Sequence, residues 1–155
     1  MNIISNLIEA HIIRKIDSGI EFLLMKRNPN EKYPNIWQMV TGTIDGNEKA
    51  YETALREIEE ETSVKPEKLW VVPIINSFYS HEKNEICFVP VFVTQFGKDV
   101  RIKISDEHSE FLWLQKEEAK QLLAWPGQRK SVDIIYDYFS GKDNSLKFIE
   151  INLSA

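Results

Sequence analysis

Residues 42–64 constrain this chain most, because they join an apolar helical stripe to a density of acid that an isolated helix would not favour. Seven acids (Asp45, Glu48, Glu52, Glu57, Glu59, Glu60 and Glu61) stand there against two bases, Lys49 and Arg56, and this imbalance equals the whole net charge of −5. At 100° per residue Ala50, Tyr51, Ala54, Leu55 and Ile58 fall on one arc, the face expected to meet a sheet. Glu57, Glu60 and Glu61 form a second arc beside it, and their i, i+3, i+4 spacing brings three carboxylates within reach of one point. The last turn of a helix carries partial negative charge, so each acid there costs about 0.3–1 kcal/mol. Glu57 and Glu61 also repel each other by about 0.2–0.5 kcal/mol, with no lysine nearby to relieve them. A solvated acidic face is one reading of this pattern. The other is a hard divalent cation, since Mg²⁺ takes carboxylate oxygens, keeps several waters and shares its shell with substrate phosphates. Spacing by itself leaves both open.

The remainder of the chain is neutral and sets the frame. At 155 residues and 43% apolar content, residues 1–155 suit one core and one domain. A chain of this length hides roughly 68–70% of its extended surface and needs no disulfide or structural metal. The single cysteine, Cys87, sits in the apolar run Glu85-Ile86-Cys87-Phe88-Val89, where a small buried hydrophobe is expected before a nucleophile. An acidic chain without a basic stripe is a poor partner for long nucleic acid. No apolar run is long enough to cross a membrane and no signal peptide is visible, so the expectation is a soluble, cytoplasmic protein with no membrane partner. His11, His81 and His108 share no ligand spacing that would suit zinc.

Residues 3–16 and 20–26 read as strands around the turn Asp17-Ser18-Gly19. The loop Arg27-Asn28-Pro29-Asn30 with Pro34 breaks the pattern, and a short extended piece covers 37–41. Asn47 is placed to cap a helix that runs to Thr62. Residues 69–79 and 85–96 read as a hairpin around His81-Glu82-Lys83-Asn84, and 111–114 as a further strand. A short helix at 116–123 and one opened by Pro126 and closed by Gly141 complete the chain. Strands interrupted by single helices predict an α/β fold with the sheet covered on both faces.

Gly42, Glu48, Arg56-Glu57-Ile58, Glu60-Glu61 and Val64 stand as G-x5-E-x7-R-E-U-x-E-E-x-S-U, U being aliphatic, and this resembles the Nudix box. Eight of nine defined positions agree. Ser63 departs from the family's glycine, which suits a left-handed residue past the helix, and a serine there costs on the order of 1 kcal/mol. The resemblance implies a Nudix-type α/β/α sandwich with a mixed central sheet, and a Mg²⁺-dependent hydrolase of phosphoric anhydrides, with Mn²⁺ as a substitute. It implies that Glu60 and Glu61 hold metal, that Glu57 is metal ligand or general base, and that Arg56 braces Glu57 with Glu48 pairing nearby. The backbone around Thr41 and Gly42 would lend a carbonyl to the metal. Carboxylates with metal supply what diphosphate hydrolysis needs: neutralised oxygens, an oriented water and a proton acceptor.

Outside the box, Ile36-Trp37-Gln38-Met39-Val40-Thr41-Gly42, Glu107-His108, Trp113-Leu114 and Trp125-Pro126-Gly127-Gln128-Arg129 are similar to stretches of the dihydroneopterin-triphosphate pyrophosphatase branch. That branch implies a nucleoside or pterin triphosphate as small-molecule substrate, cut to a monophosphate and pyrophosphate. A dinucleoside polyphosphate hydrolase and a non-catalytic nucleotide-binding domain are the alternatives. Tyr79 lies close to where dinucleoside-polyphosphate hydrolases place a tyrosine, though a buried strand tyrosine is the expected reading. Glu107 could reach the carboxylates from its loop, with Glu110 as fallback. Trp37 suits either a ring-stacking face or a core plug. Lys26 and Arg27 end a strand near the expected cleft, where they could touch phosphate or serve as surface charge. A homodimer is compatible with this reading.

Overall fold

In Leu7–Ile13 and Phe22–Met25 apolar side chains fill most successive positions, which in a strand means both faces are buried. The computed structural model, which describes residues 1–143 and 145–154, shows how those faces are covered. Strands β1 (Asn2–Ile4), β2 (Leu7–Ile16), β3 (Gly19–Arg27), β4 (Trp37–Gln38) and β5 (Val40–Thr43) precede helix α1 (Ala50–Thr62). The hairpin β6 (Trp70–Ser80) and β7 (Glu85–Phe96), strand β8 (His108–Gln115), helices α2 (Lys116–Leu122) and α3 (Pro126–Phe139), and the short β9 (Ile149–Glu150) follow. All nine strands join one mixed sheet.

Alternation decides which layer each side chain enters. Ile8, Ala10, Ile12, Leu23 and Met25 pack with Ala54 and Ile58 of α1. Their neighbours Ile13, Phe22 and Leu24 pack instead with Ala119, Leu123, Val132 and Ile135 from the α2–α3 side. The sheet is thus the middle of an α/β/α sandwich, as expected, with Cys87 buried in it.

The site depends on a split in the sheet. Strand β2 runs parallel to β7 along one edge, while its other edge serves two antiparallel partners: β5 opposite Leu7–Ala10 and β3 opposite Ile13–Ile16. Beyond Phe22 strand β3 diverges from β2 and takes β4 on that edge, while its other edge pairs with β8 from Glu21 onward. Consecutive β4 and β5 therefore sit on the two lips of the split, joined by the buried Met39. This is why the extended piece expected at 37–41 is two strands.

Three other boundaries differ from expectation for local reasons. The strand expected at 3–16 breaks at Ser5 and Asn6, because β1 pairs with β7 one residue out of register with β2. Ser5 Oγ donates to the Phe88 carbonyl, and the Ile44 N–H donates to the Asn6 carbonyl. Asn47 does not cap α1. The segment 45–48 forms a turn in which the Glu48 N–H donates to the Asp45 carbonyl, so the helix opens at Lys49, whose N–H is accepted by the Glu52 carboxylate. Strand β8 begins at His108 instead of Phe111, since β3 pairs with it as far as Arg27.

Candidate active site

Helix α1 carries its acids along one flank of the buried stripe, and β5 meets it at Gly42. A β-carbon on Gly42 would stand 2.6 Å from Cδ and 2.9 Å from Oε1 of Glu57. A side chain at this position would displace the Glu57 carboxylate, which lies against the strand backbone. One guanidinium organises the neighbours. Arg56 donates from Nε and Nη2 to the two Glu48 oxygens, each at 2.9 Å, from Nη1 to Glu57 Oε1 at 2.9 Å, and from Nη2 to the Thr43 carbonyl at 3.2 Å. Glu60 is a looser partner at 3.4 Å. Glu48 also accepts from the Asp45 N–H and the Thr53 hydroxyl, and Arg56 leads the causes that hold its carboxyl down at about 2. Such bidentate, charge-assisted bonds fix direction as well as energy.

The far end of the helix is different. Glu61 is only 2% exposed, its Oε2 has no hydrogen-bond partner, and its carboxyl is pushed well up, by burial first and then by Glu57 and Glu107. Arg27, at the end of β3, pulls in the opposite direction. Glu57 is also raised, chiefly by burial, with Arg56 opposing and Glu60 and Glu107 adding to the rise. Repulsive acids around an unpartnered buried carboxylate oxygen form a hard-oxygen donor set that suits Mg²⁺. Among the described residues no three acids, histidines or cysteines converge tightly enough to enclose an ion alone. Mg²⁺ does not require that, since one or two carboxylates with waters and phosphate commonly complete its shell.

The structure sorts the other expected residues. Glu107 is exposed on the loop before β8 and faces Glu57 and Glu61 closely enough to raise both. Glu110 is turned to Lys26, with Nζ at 3.8 Å. Arg27 reaches the carboxylates by its field while its Nε donates to the Lys32 carbonyl at 2.6 Å. Trp37 packs against the core on the α2–α3 side and bridges to Leu123. Tyr79 is exposed, not buried as expected; it pairs with Ile86 and donates to Asn84 Oδ1. Alternation along β6 points it away from the face occupied by Asn76. Ser63 adopts φ 63°, the left-handed conformation expected of the motif glycine, and its hydroxyl donates to the Lys103 carbonyl at 2.9 Å. His108 is buried against Gln38, and burial pushes its pKa down to about 4.

A second polar group was not anticipated. Glu9, buried on the α3 side of β2, accepts from Asn76 Nδ2 at 2.9 Å, and burial raises its pKa to about 7 against the easing contacts of Asn76 and Gln128. Gln128 Oε1 is buried without a partner, and a β-carbon on Gly127 would meet Asn76 Oδ1 at 2.7 Å. A lone acid inside the apolar run 7–13 is the sequence signal that marks this cluster. Thr41, one residue from Gly42, is the register partner of Glu9, so this buried cluster lies across the sheet from the carboxylates, beside the same β2–β5 pairing.

A carboxylate-lined helix end beside a split in the sheet can hold a divalent cation and, through it, phosphate oxygens; comparison with known proteins identifies the class that carries such a site. A model of the NUDIX domain matches residues 8–133. The bis(5'-nucleosyl)-tetraphosphatase [asymmetrical] of Mus musculus is 33% identical over 115 residues, covering 72% of this chain and 76% of the relative. A Caenorhabditis elegans Ap4A hydrolase in a binary complex superposes with a TM-score of 0.73 at 21% identity, covering 87% and 97%. The Escherichia coli dihydroneopterin triphosphate pyrophosphohydrolase does so at 0.66 and 18%, covering 84% and 95%. This chain belongs to the Nudix family and is a pyrophosphohydrolase acting on phosphoanhydrides. Hydrolases of this family use divalent metal cations.

Proposed function

We propose that this enzyme hydrolyses a dinucleoside tetraphosphate, with Mg²⁺ held by Glu57, Glu60, Glu61 and the Gly42 backbone. The unpartnered, buried Oε2 of Glu61 among Glu57, Glu60 and Glu107 carries the metal assignment. The 33% identity to the mouse tetraphosphatase carries the substrate. Mn²⁺ suits the same oxygen donors. The cation, when bound, supplies neutralisation of phosphate oxygens and a more acidic water.

The chain's own residues do the rest. Arg56, locked by Glu48, holds the Glu57 carboxylate in place as proton acceptor. The water oxygen forms a bond to the phosphorus next to one nucleoside, its proton goes to Glu57, and the bridging P–O bond breaks with its electron pair leaving on the polyphosphate. A tetraphosphate then yields a monophosphate and a triphosphate. Arg27, whose charge acts on Glu61, and Lys26 supply positive charge for the leaving chain, and the Glu9–Asn76–Gln128 cluster recognises a polar heterocycle.

A second reading is hydrolysis of dihydroneopterin triphosphate or a deoxynucleoside triphosphate to a monophosphate and pyrophosphate. The stretches at 36–42 and 125–129 favour it. An assay in Mg²⁺ over diadenosine tetraphosphate, dihydroneopterin triphosphate, the nucleoside triphosphates and ADP-ribose, with an EDTA control, tests both. Strong preference for the tetraphosphate is expected; preference for a triphosphate selects the second reading, and turnover of all in EDTA overturns the metal assignment. Hydrolysis in ¹⁸O-labelled water should place the label on the monophosphate. Orthophosphate as primary product would exclude this mechanism.

A further inference from the structure

Strands β1, β6 and β7 project beyond the helices and carry an apolar face that the reaction does not use. In register, Ile3 and Tyr79 both flank Ile86, Phe88 pairs with Ser77, and alternation brings Ile75 to the same face. Four of these six are large and open: Ile3 is 68% exposed, Ile75 59%, Tyr79 56% and Phe88 42%. At about half exposure each presents roughly 100 Å², so the face offers about 400 Å² of contiguous apolar surface, a size at which such patches mark interaction sites.

We infer that this face is the two-fold interface of a homodimer, a second copy of the chain being its occupant. None of the six side chains is charged, so the patch can lie against itself, as a two-fold interface requires, without bringing like charges together. Two such faces with their rim residues, Met1 and Pro90 among them, bury about 1,000 Å² in total, the lower bound of a specific interface. None of the six side chains is a lysine or arginine, so the face lacks the basic cluster that anionic lipid attracts, which argues against a membrane as occupant.

Sedimentation of the full chain at about 5–100 µM tests this. The wild type is expected to reach twice the 18.1 kDa of one chain, and Ile75→Glu with Phe88→Glu to remain at that single mass with its circular dichroism unchanged. Should that double variant fail to fold, Ser77→Cys replaces it: Ser77 is exposed and near the two-fold, so mild oxidation should give a disulfide-linked dimer, whereas the buried Cys87 gives none in the wild type. Monomer mass for the wild type at every concentration, a dimer that survives the folded double variant, or flotation of monomers with phosphatidylserine vesicles would each overturn the proposal.

Discussion

Glu61 and Glu9 are both carboxylates driven into the protein from opposite faces of one sheet, and they differ in what meets them. Burial leads the rise of both. Around Glu9 the second cause is neutral amide donors, Asn76 and Gln128, which ease the rise. Around Glu61 it is other acids, Glu57 and Glu107, which add to it. A buried carboxyl among amides is a hydrogen-bonding device that works with its proton on or off. A buried carboxyl among carboxylates is unfavourable until a cation arrives. Burial alone therefore does not distinguish a recognition group from a metal ligand; the sign of its neighbours does.

The largest expected effect comes from removing the proton acceptor on the acidic side. Glu57→Gln should lower kcat by about 10²–10⁴-fold, the range of a positioned general base. Its fold should survive, since the change relieves repulsion with Glu60 and Glu107. Steady-state rates with circular dichroism check this, and near wild-type turnover would remove Glu57 from the chemistry. Glu9→Gln should instead alter which substrate is preferred while the reaction still proceeds.

Mg²⁺ should separate the two carboxyls next. A ligand bound only to the folded state adds about 2.7 kcal/mol at a hundredfold excess over Kd, or about 5–10 °C in Tm for a chain of this size. Glu61→Gln should abolish most of that shift and Glu9→Gln none of it. Equal losses in a thermal-shift titration would break the comparison.

The pH dependence of stability then isolates Glu9. Its folded pKa of about 7 lies above the ordinary 4.5, so the folded state holds the proton more tightly. The favourable contribution is complete below about pH 4.5 and is lost as pH rises through about 7. Metal-free urea unfolding at pH 5 and pH 8 should show the wild type losing about 1–3 kcal/mol more than Glu9→Gln over that window. Comparing the two proteins cancels the contribution of Glu61, which has the same sign.

The acidic side was legible in the sequence because its residues come from one helix, where spacing fixes neighbourhood: Glu57, Glu60 and Glu61 could be placed together before any fold was known. Arg56 and Glu48 were legible through the Nudix resemblance. The Glu9 cluster was not, because Glu9, Asn76 and Gln128 come from β2, β6 and α3, and only the packed sandwich brings them together. The same limit explains Tyr79: its strand could be read, but the exposure of the hairpin's outer half depends on where the helices stop. The split at Met39 was hidden because β4 and β5 look like one extended piece until β2 and β3 diverge.

The smallest effect tests how the acidic side is held. Ser63 pays for a left-handed backbone on the order of 1 kcal/mol that glycine would not, yet its hydroxyl anchors the Lys103 carbonyl, and the Lys103 N–H in turn donates to the Thr62 carbonyl. A typical hydrogen bond contributes about 0.5–1.5 kcal/mol, so the two terms nearly cancel. Ser63→Gly should accordingly change stability by less than about 0.5 kcal/mol, whereas Ser63→Ala, which keeps the strained backbone and loses the bond, should cost about 1 kcal/mol. Because Lys103 leads into the loop that carries Glu107, Ser63→Ala should also weaken the Mg²⁺-induced rise in Tm slightly while leaving the Glu9-dependent pH window intact. An equal cost for glycine and alanine in urea unfolding would show that the hydroxyl bond, not the backbone, sets the exit of α1.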